Sequence, residues 1–103
     1  MSYVLAIDQG TTSSRALVFD CSGKIIAKHQ QELPNIYPQA GWCEHDPDVI
    51  WQTVSDCISS VVQQVGGKEK IVCVGIANQR ETTVAWSMSI LDLVFIHTPL
   101  FVL

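Results

Sequence analysis

The sequence predicts an α/β fold in which a three-stranded antiparallel meander leads into a helix and then a buried strand. Three observations carry this. Two short apolar runs, residues 3–7 and 16–19, flank a Gly/Thr/Ser-rich turn. A long amphipathic stretch follows with a strong start and stop signal, and after it residues 71–77 are almost continuously apolar. At 103 residues the chain is the size of one domain, burying about 60 to 65% of the surface its unfolded form exposes, enough for one modest core.

In order, residues 3–7 read as a strand ending at Asp8 and residues 16–19 as a second, antiparallel to it. Asp20-Cys21-Ser22-Gly23 supplies turn chemistry, and residues 24–33, apolar at Ile25-Ile26-Ala27 and then polar, read as a third strand nearer a sheet edge. Pro34, Pro38 and Gly41 make residues 34–46 an ordered excursion without regular structure. Asp46-Pro47-Asp48 starts a helix, with Asp46 as N-cap, Pro47 at the first helical position and Asp48 complementing the dipole. Ile50, Val54, Ile58, Val61 and Val65, with Trp51 and Val62 beside them, predict one broad apolar face that ends at Gly66-Gly67. The next strand, 71–77, is expected to be covered on both faces and to gather polar groups at its carboxyl end, Asn78-Gln79-Arg80-Glu81. In such a layered arrangement ligands lie outside strand ends.

Composition narrows the partners. With 48% hydrophobic and 16% charged residues and a net charge of -4, the chain is of a folded soluble type. No basic cluster beyond Lys68-Glu69-Lys70 offers a footprint for nucleic acid or an anionic membrane. Cys21, Cys43, Cys57 and Cys73 form no Cys-x-x-Cys pair and no zinc pattern; Cys57 and Cys73, set in apolar runs, are expected to be small buried hydrophobes. The start, Met1-Ser2-Tyr3-Val4, lacks a basic leader region, which points to a reduced, cytoplasmic location.

Asp8-Gln9-Gly10-Thr11-Thr12-Ser13-Ser14-Arg15 is the segment richest in chemistry. Gly10 allows close approach of the backbone, the amides and hydroxyls of Thr11, Thr12 and Ser13 can converge on phosphate oxygens, and Arg15 is a fixed cationic fork. Asp8 is a candidate ligand for Mg²⁺, directly or through water. Phosphoryl transfer is largely positioning and charge neutralisation, so these groups suit it. A hairpin turn can carry Gly, Thr and Ser for purely local reasons. Neither a Gly-x-x-x-x-Gly-Lys-Ser/Thr loop nor a Gly-x-Gly-x-x-Gly fingerprint is present. A ribonuclease H-type nuclease shares the strand order but needs converging carboxylates, whereas the helix offers only Asp56, turned from the apolar face, and the last strand ends in Asn78. Trp42 reads as packing the excursion onto the domain and His45 as fixing local hydrogen bonds; His29 and His97 lack ligand partners in the sequence.

Ala6 to Arg15, Tyr37-Pro38-Gln39-Ala40-Gly41-Trp42-Cys43-Glu44-His45-Asp46-Pro47 and Gly75-Ile76-Ala77-Asn78-Gln79-Arg80-Glu81-Thr82-Thr83 together resemble successive blocks of the glycerol kinases, within the FGGY carbohydrate kinases. The resemblance implies a partial actin-like, ribonuclease H-like domain from an enzyme that makes sn-glycerol 3-phosphate and ADP from glycerol and MgATP, in a family often homo-oligomeric. It implies that Gly10, Thr11, Thr12, Ser13 and Arg15 meet the ATP phosphates, that Asp8 organises Mg²⁺, and that Arg80 and Glu81 hold the glycerol hydroxyls. A guanidinium that donates beside a carboxylate that accepts is suited to orienting a polyol.

The resemblance covers residues 3–86. Residues 87–103 form an apolar tail without family match, interrupted by Asp92, His97 and Pro99 and too short for a membrane span, which needs about 20 apolar residues. The family's general base, a substrate-contacting Tyr and the adenosine-binding second domain fall beyond residue 103. The expectation is therefore a truncated chain, residues 1–86 being part of the first kinase domain, without a catalytic base and inactive alone. The alternatives are another FGGY polyol or sugar kinase, or a non-catalytic fragment that binds a partner through its apolar tail.

Overall fold

The computed structural model describes residues 2–79 in full and the backbone of residues 83–86 and 94–97. Its main sheet has the order β3-β2-β1-β4. Strands β1 (Tyr3–Gln9), β2 (Ser13–Phe19) and β3 (Ile25–Glu32) form the antiparallel meander. Helix α1 (Pro47–Gln64) then carries the chain across, and β4 (Ile71–Asn78) joins β1 in parallel. The predicted order of elements is the observed one. A separate antiparallel pair, β5 (Thr83–Trp86) and β6 (Val94–His97), follows; β6 lies in the tail that the sequence reading left without family match.

Local chemistry accounts for the turns. Asp20 Oδ1 accepts hydrogen bonds from the Ser22 amide, the Ser22 hydroxyl and the Lys24 amide, and Gly23 takes a φ of 84° to close the β2–β3 turn. These donors, the Ser22 hydroxyl foremost, hold the Asp20 carboxyl below its ordinary pKa. Helix α1 begins as predicted: Asp46 Oδ1 accepts from the Asp48 amide at 2.9 Å and Pro47 takes the first position. It ends in a Schellman arrangement, with Gly66 at φ 93° and the Gly66 and Gly67 amides donating to the Gln63 and Val62 carbonyls.

The core lies between α1 and one face of the sheet and consists of Leu5, Ala16, Val18, Ala27, Cys57 and Val61. Two expectations about the apolar face are corrected. The buried stripe of α1 is Thr53, Cys57 and Val61, whereas Ile50, Val54, Ile58 and Val65 are only half-buried at its flanks and Trp51 is 67% exposed. Small side chains at the centre let the helix approach the sheet closely. Thr53 Oγ1 donates to the Ile50 carbonyl at 2.9 Å, so the buried Ser14 hydroxyl donates to Thr53 at 2.8 Å, and the Cys57 thiol reaches the Ser14 carbonyl at 3.4 Å. Burial pushes the Cys57 thiol pKa up, as befits a structural thiol.

Strand β4 is not covered on both faces. Past Ile71 it is exposed to Asn78, with Val72, Val74 and Ile76 at 64%, 51% and 74%, and Cys73 is exposed where a buried thiol was expected. The reason is placement: α1 packs over β2 and β3 and scarcely reaches β1, so β4, on the far edge of β1, lies beyond its cover. A continuous apolar run reports what a strand is suited to touch, not what lies against it.

Candidate functional site

Parallel pairing of β1 with β4 sets Gln9 opposite Asn78 and Asp8 opposite Ala77. The carboxyl ends of both strands therefore open at one edge of the sheet, which is where an α/β sheet offers a ligand site. From β1 the chain enters the loop Gly10, Thr11 and Thr12; from β4 it continues through Asn78 and Gln79 into Arg80 and Glu81, which lie outside the described residues.

The loop is tighter than the sequence suggested, because β2 begins at Ser13. Ser13 and Arg15 are strand residues on the sheet face away from α1, while Ser14 between them is buried toward it. The Gly10 amide donates to the Ser13 carbonyl at 2.8 Å. A Cβ at Gly10 would stand 3.0 Å from that carbonyl oxygen, so glycine is selected by close approach and not by a left-handed conformation. Thr11 and Thr12 are exposed, and the Leu33 amide donates to the Thr12 carbonyl at 2.8 Å, tying the loop to the end of β3.

Asp8 and Arg15 are cross-strand partners, and the Arg15 guanidinium donates to the Asp8 carboxylate at 3.0 Å with both side chains 45% exposed. A pair this exposed contributes less than about 1 kcal/mol. It orients the fork beside the loop and leaves it free to exchange one oxyanion for another. Ser13 Oγ accepts from Gln30 Nε2 at 2.9 Å, leaving the hydroxyl hydrogen available to donate. An open hollow of about 420 Å³ beside it is walled by Thr12, Ser13, Gln30, Glu32, Leu33 and Pro34. Among the described residues no three acidic, His or Cys side chains converge as a metal cage. Asp8 alone fits only a cation that brings most of its ligands with it, as Mg²⁺ does when it arrives on phosphates with bound waters.

Sequence reasoning read His45 as fixing local hydrogen bonds but missed the side chains, Gln9 and Gln79, that join it to the loop. His45 is fully buried, and its Nε2 donates to Asn35 Oδ1. Gln79 Nε2 reaches His45 Nδ1 at 3.4 Å and Gln9 Oε1 at 3.5 Å, and Gln9 Nε2 donates to the Gly10 carbonyl at 2.7 Å. Gln9 shares the face of Leu5 and Ile7 on β1, a polar residue continuing an apolar alternation, and that was the available signal. Trp42, expected to pack the excursion down, keeps 46% of its surface exposed.

A strand, a Gly/Thr loop and a returning strand with a cationic fork beside the loop make up this edge of an α/β domain. Residues 3–91 match the FGGY family of carbohydrate kinases, N-terminal domain, and the chain belongs to that family. It is similar to the glycerol kinases of Thermoanaerobacter sp. (strain X514) and Limosilactobacillus reuteri (strain DSM 20016), each 55% identical over 85 residues, which are 82% of this chain and 17% of each relative. The chain thus spans 17% of the length of these relatives. Among solved structures it is similar to a ligand-bound xylulose kinase from Lactobacillus acidophilus, with a TM-score of 0.80, 25% identity and coverage of 94% of this chain and 19% of the other. Against Plasmodium falciparum glycerol kinase with ADP the TM-score is 0.77 at 25% identity, covering 95% of this chain and 20% of the other. The partial actin-like domain expected from the sequence agrees with these folds. No helix among the described residues is long and apolar enough to cross a membrane.

Proposed function

We propose that this chain carries the nucleotide-phosphate portion of a cytoplasmic kinase site that transfers the γ-phosphoryl group of MgATP to glycerol, giving sn-glycerol 3-phosphate and ADP. The observation that supports this best is the parallel β1–β4 register, Gln9 opposite Asn78, which opens the Gly10–Thr12 loop and the approach to Arg80 at one sheet edge. In this reading Gly10, its amide held by the Ser13 carbonyl, lets the backbone approach the phosphates closely, the amides and hydroxyls of Thr11, Thr12 and Ser13 meet them, and Arg15 balances their charge. Asp8 holds the Mg²⁺ that travels with the nucleotide, whose charge neutralises the phosphates. Arg80 and Glu81 hold the polyol hydroxyls, the guanidinium donating and the carboxylate accepting. Glycerol is favoured over a sugar because the relatives named glycerol kinase reach 56% identity over 85 residues.

Titrating the isotope-labelled chain with MgATP tests the assignment. The expected result is a saturable shift of the Gly10–Ser13 amides, with affinity weakened about tenfold by Arg15→Leu, the loss expected for one charge-assisted contact. Absence of loop shifts at saturating nucleotide would overturn it. The 103-residue chain is expected to bind without turning glycerol over, because a general base must reach the hydroxyl it deprotonates and the family match supplies none here. ATP-dependent turnover abolished by Asp8→Ala would contradict that.

A further inference from the structure

The phosphate chemistry does not use the polar side chains behind the loop, yet they form one connected line. At its outer end Asn35 Nδ2 donates to the Tyr37 hydroxyl at 3.2 Å, and Asn35 Oδ1 accepts from His45 Nε2. His45 is therefore the tautomer with its proton on Nε2, and its bare Nδ1 faces the Gln79 amide at 3.4 Å. The same Gln79 nitrogen faces Gln9 Oε1 at 3.5 Å, and Gln9 passes the line to the Gly10 carbonyl. The excursion, the end of β1 and the end of β4 meet in this line, directly under the turn closed by the Gly10 and Ser13 backbone.

Gln79 shows that its donors hold it in place. Its Oε1 is buried with no hydrogen-bond partner among the described residues, a costly arrangement for an amide. Both acceptors facing its nitrogen belong to other segments, so the side chain spans the gap between them at the long end of hydrogen-bonding distance.

We propose that His45 and Gln79 are positioning residues: through Gln9 they fix the Gly10 turn, and hence the phosphate loop, relative to the segment that continues into Arg80 and Glu81. The consequence for nucleotide binding rests on the kinase reading above, but the effect on the loop does not. Removing the Gln79 donor frees Gln9 and loosens the Gly10 turn with no change in any group that meets phosphate.

The test uses the labelled full chain in four forms: wild type, Gln79→Leu, His45→Leu and His45→Gln, the last keeping one donor and one acceptor. Gln79→Leu is expected to move the Gly10, Thr11 and Thr12 amide resonances, to leave those of Cys57 and Val61 in place, and to lower hydrogen-exchange protection of the Gly10 amide about tenfold. His45→Leu should act in the same direction and His45→Gln should restore the wild-type loop. Under MgATP titration Gln79→Leu should bind about tenfold more weakly and His45→Gln near wild type. Unchanged loop resonances and Gly10 protection in Gln79→Leu would overturn the proposal, whatever the nucleotide does. Wild-type chain that ignores MgATP would overturn the kinase reading alone, and the loop resonances would still decide the positioning role. Should His45→Leu fail to fold, the half-buried Gln79 variant carries the decision.

Discussion

His45 has no exposed surface, and that burial lowers its pKa from the ordinary imidazole value of 6.5. Protonation would also place an N–H on Nδ1 opposite the Gln79 amide, setting donor against donor. Between its folded pKa and 6.5 the unfolded chain binds a proton that the folded chain refuses, so stability rises with pH through that window. Stability against urea should therefore be fully present above 6.5 and fall on acidification below it, and His45→Gln should flatten that part of the profile. A profile that His45→Gln leaves unchanged would show that another group titrates there. His45 was legible in the sequence as a local hydrogen-bonding residue, but its partner Gln79 was not, because 34 residues separate them. The same holds for Ser14 and Thr53, which stand 39 residues apart and meet only because α1 lies on β2. Hydroxyls in a polar loop and on a helix read as surface residues until packing brings them together.

At the scale of elements, end signals were the most legible. Asp46-Pro47 and Gly66-Gly67 bounded α1 correctly because caps depend on nearby backbone groups that the sequence places by itself. Asp46→Ala should destabilise the chain by about 1 kcal/mol, measured as a lower urea midpoint with an unchanged slope, since it leaves the Asp48 amide without its acceptor. An unchanged midpoint would show that the cap is idle. Strand β2 was less legible: its first residues, Ser13 to Arg15, are polar and resemble a loop, yet all three pair with β3, and Ser14 and Arg15 pair with β1 as well. Backbone pairing recruited them regardless of side-chain polarity, and alternation then divided them, Ser14 inward and Arg15 outward. The inner face of α1 was read as one broad apolar face, of which Val61 is buried and Ile58 and Val65 pack against the core, but Thr53 and Cys57 were not assigned to it. The fully buried positions are Thr53, Cys57 and Val61.

Across the whole molecule, stability is unevenly distributed. The buried cluster is confined to β1, β2, β3 and α1, while β4 keeps most of its apolar surface in water and gains little from burial. Thermal unfolding should accordingly be broad, and β4 amides should exchange with solvent well before those of β2, which hydrogen exchange by residue would reveal. A sharp two-state transition with equal protection of β2 and β4 would contradict this. The exposed row of Val72, Val74 and Ile76 on an edge strand also favours association between chains, so both measurements belong at low concentration.

By itself the sequence determined the order of elements, the limits of α1, the turn at Gly23 and the loop whose Gly, Thr, Ser and Arg suit phosphate. Each of these depends on residues within a few positions of one another, where sterics and local hydrogen bonds decide. Only the tertiary structure decided that β4 lies at an edge beyond the reach of α1, that Ser14 and Thr53 share a hydroxyl pair, and that Gln79 bridges His45 and Gln9 beneath the Gly10 turn. Those contacts join segments far apart along the chain, and their existence depends on which surfaces pack together, which residue type alone does not specify.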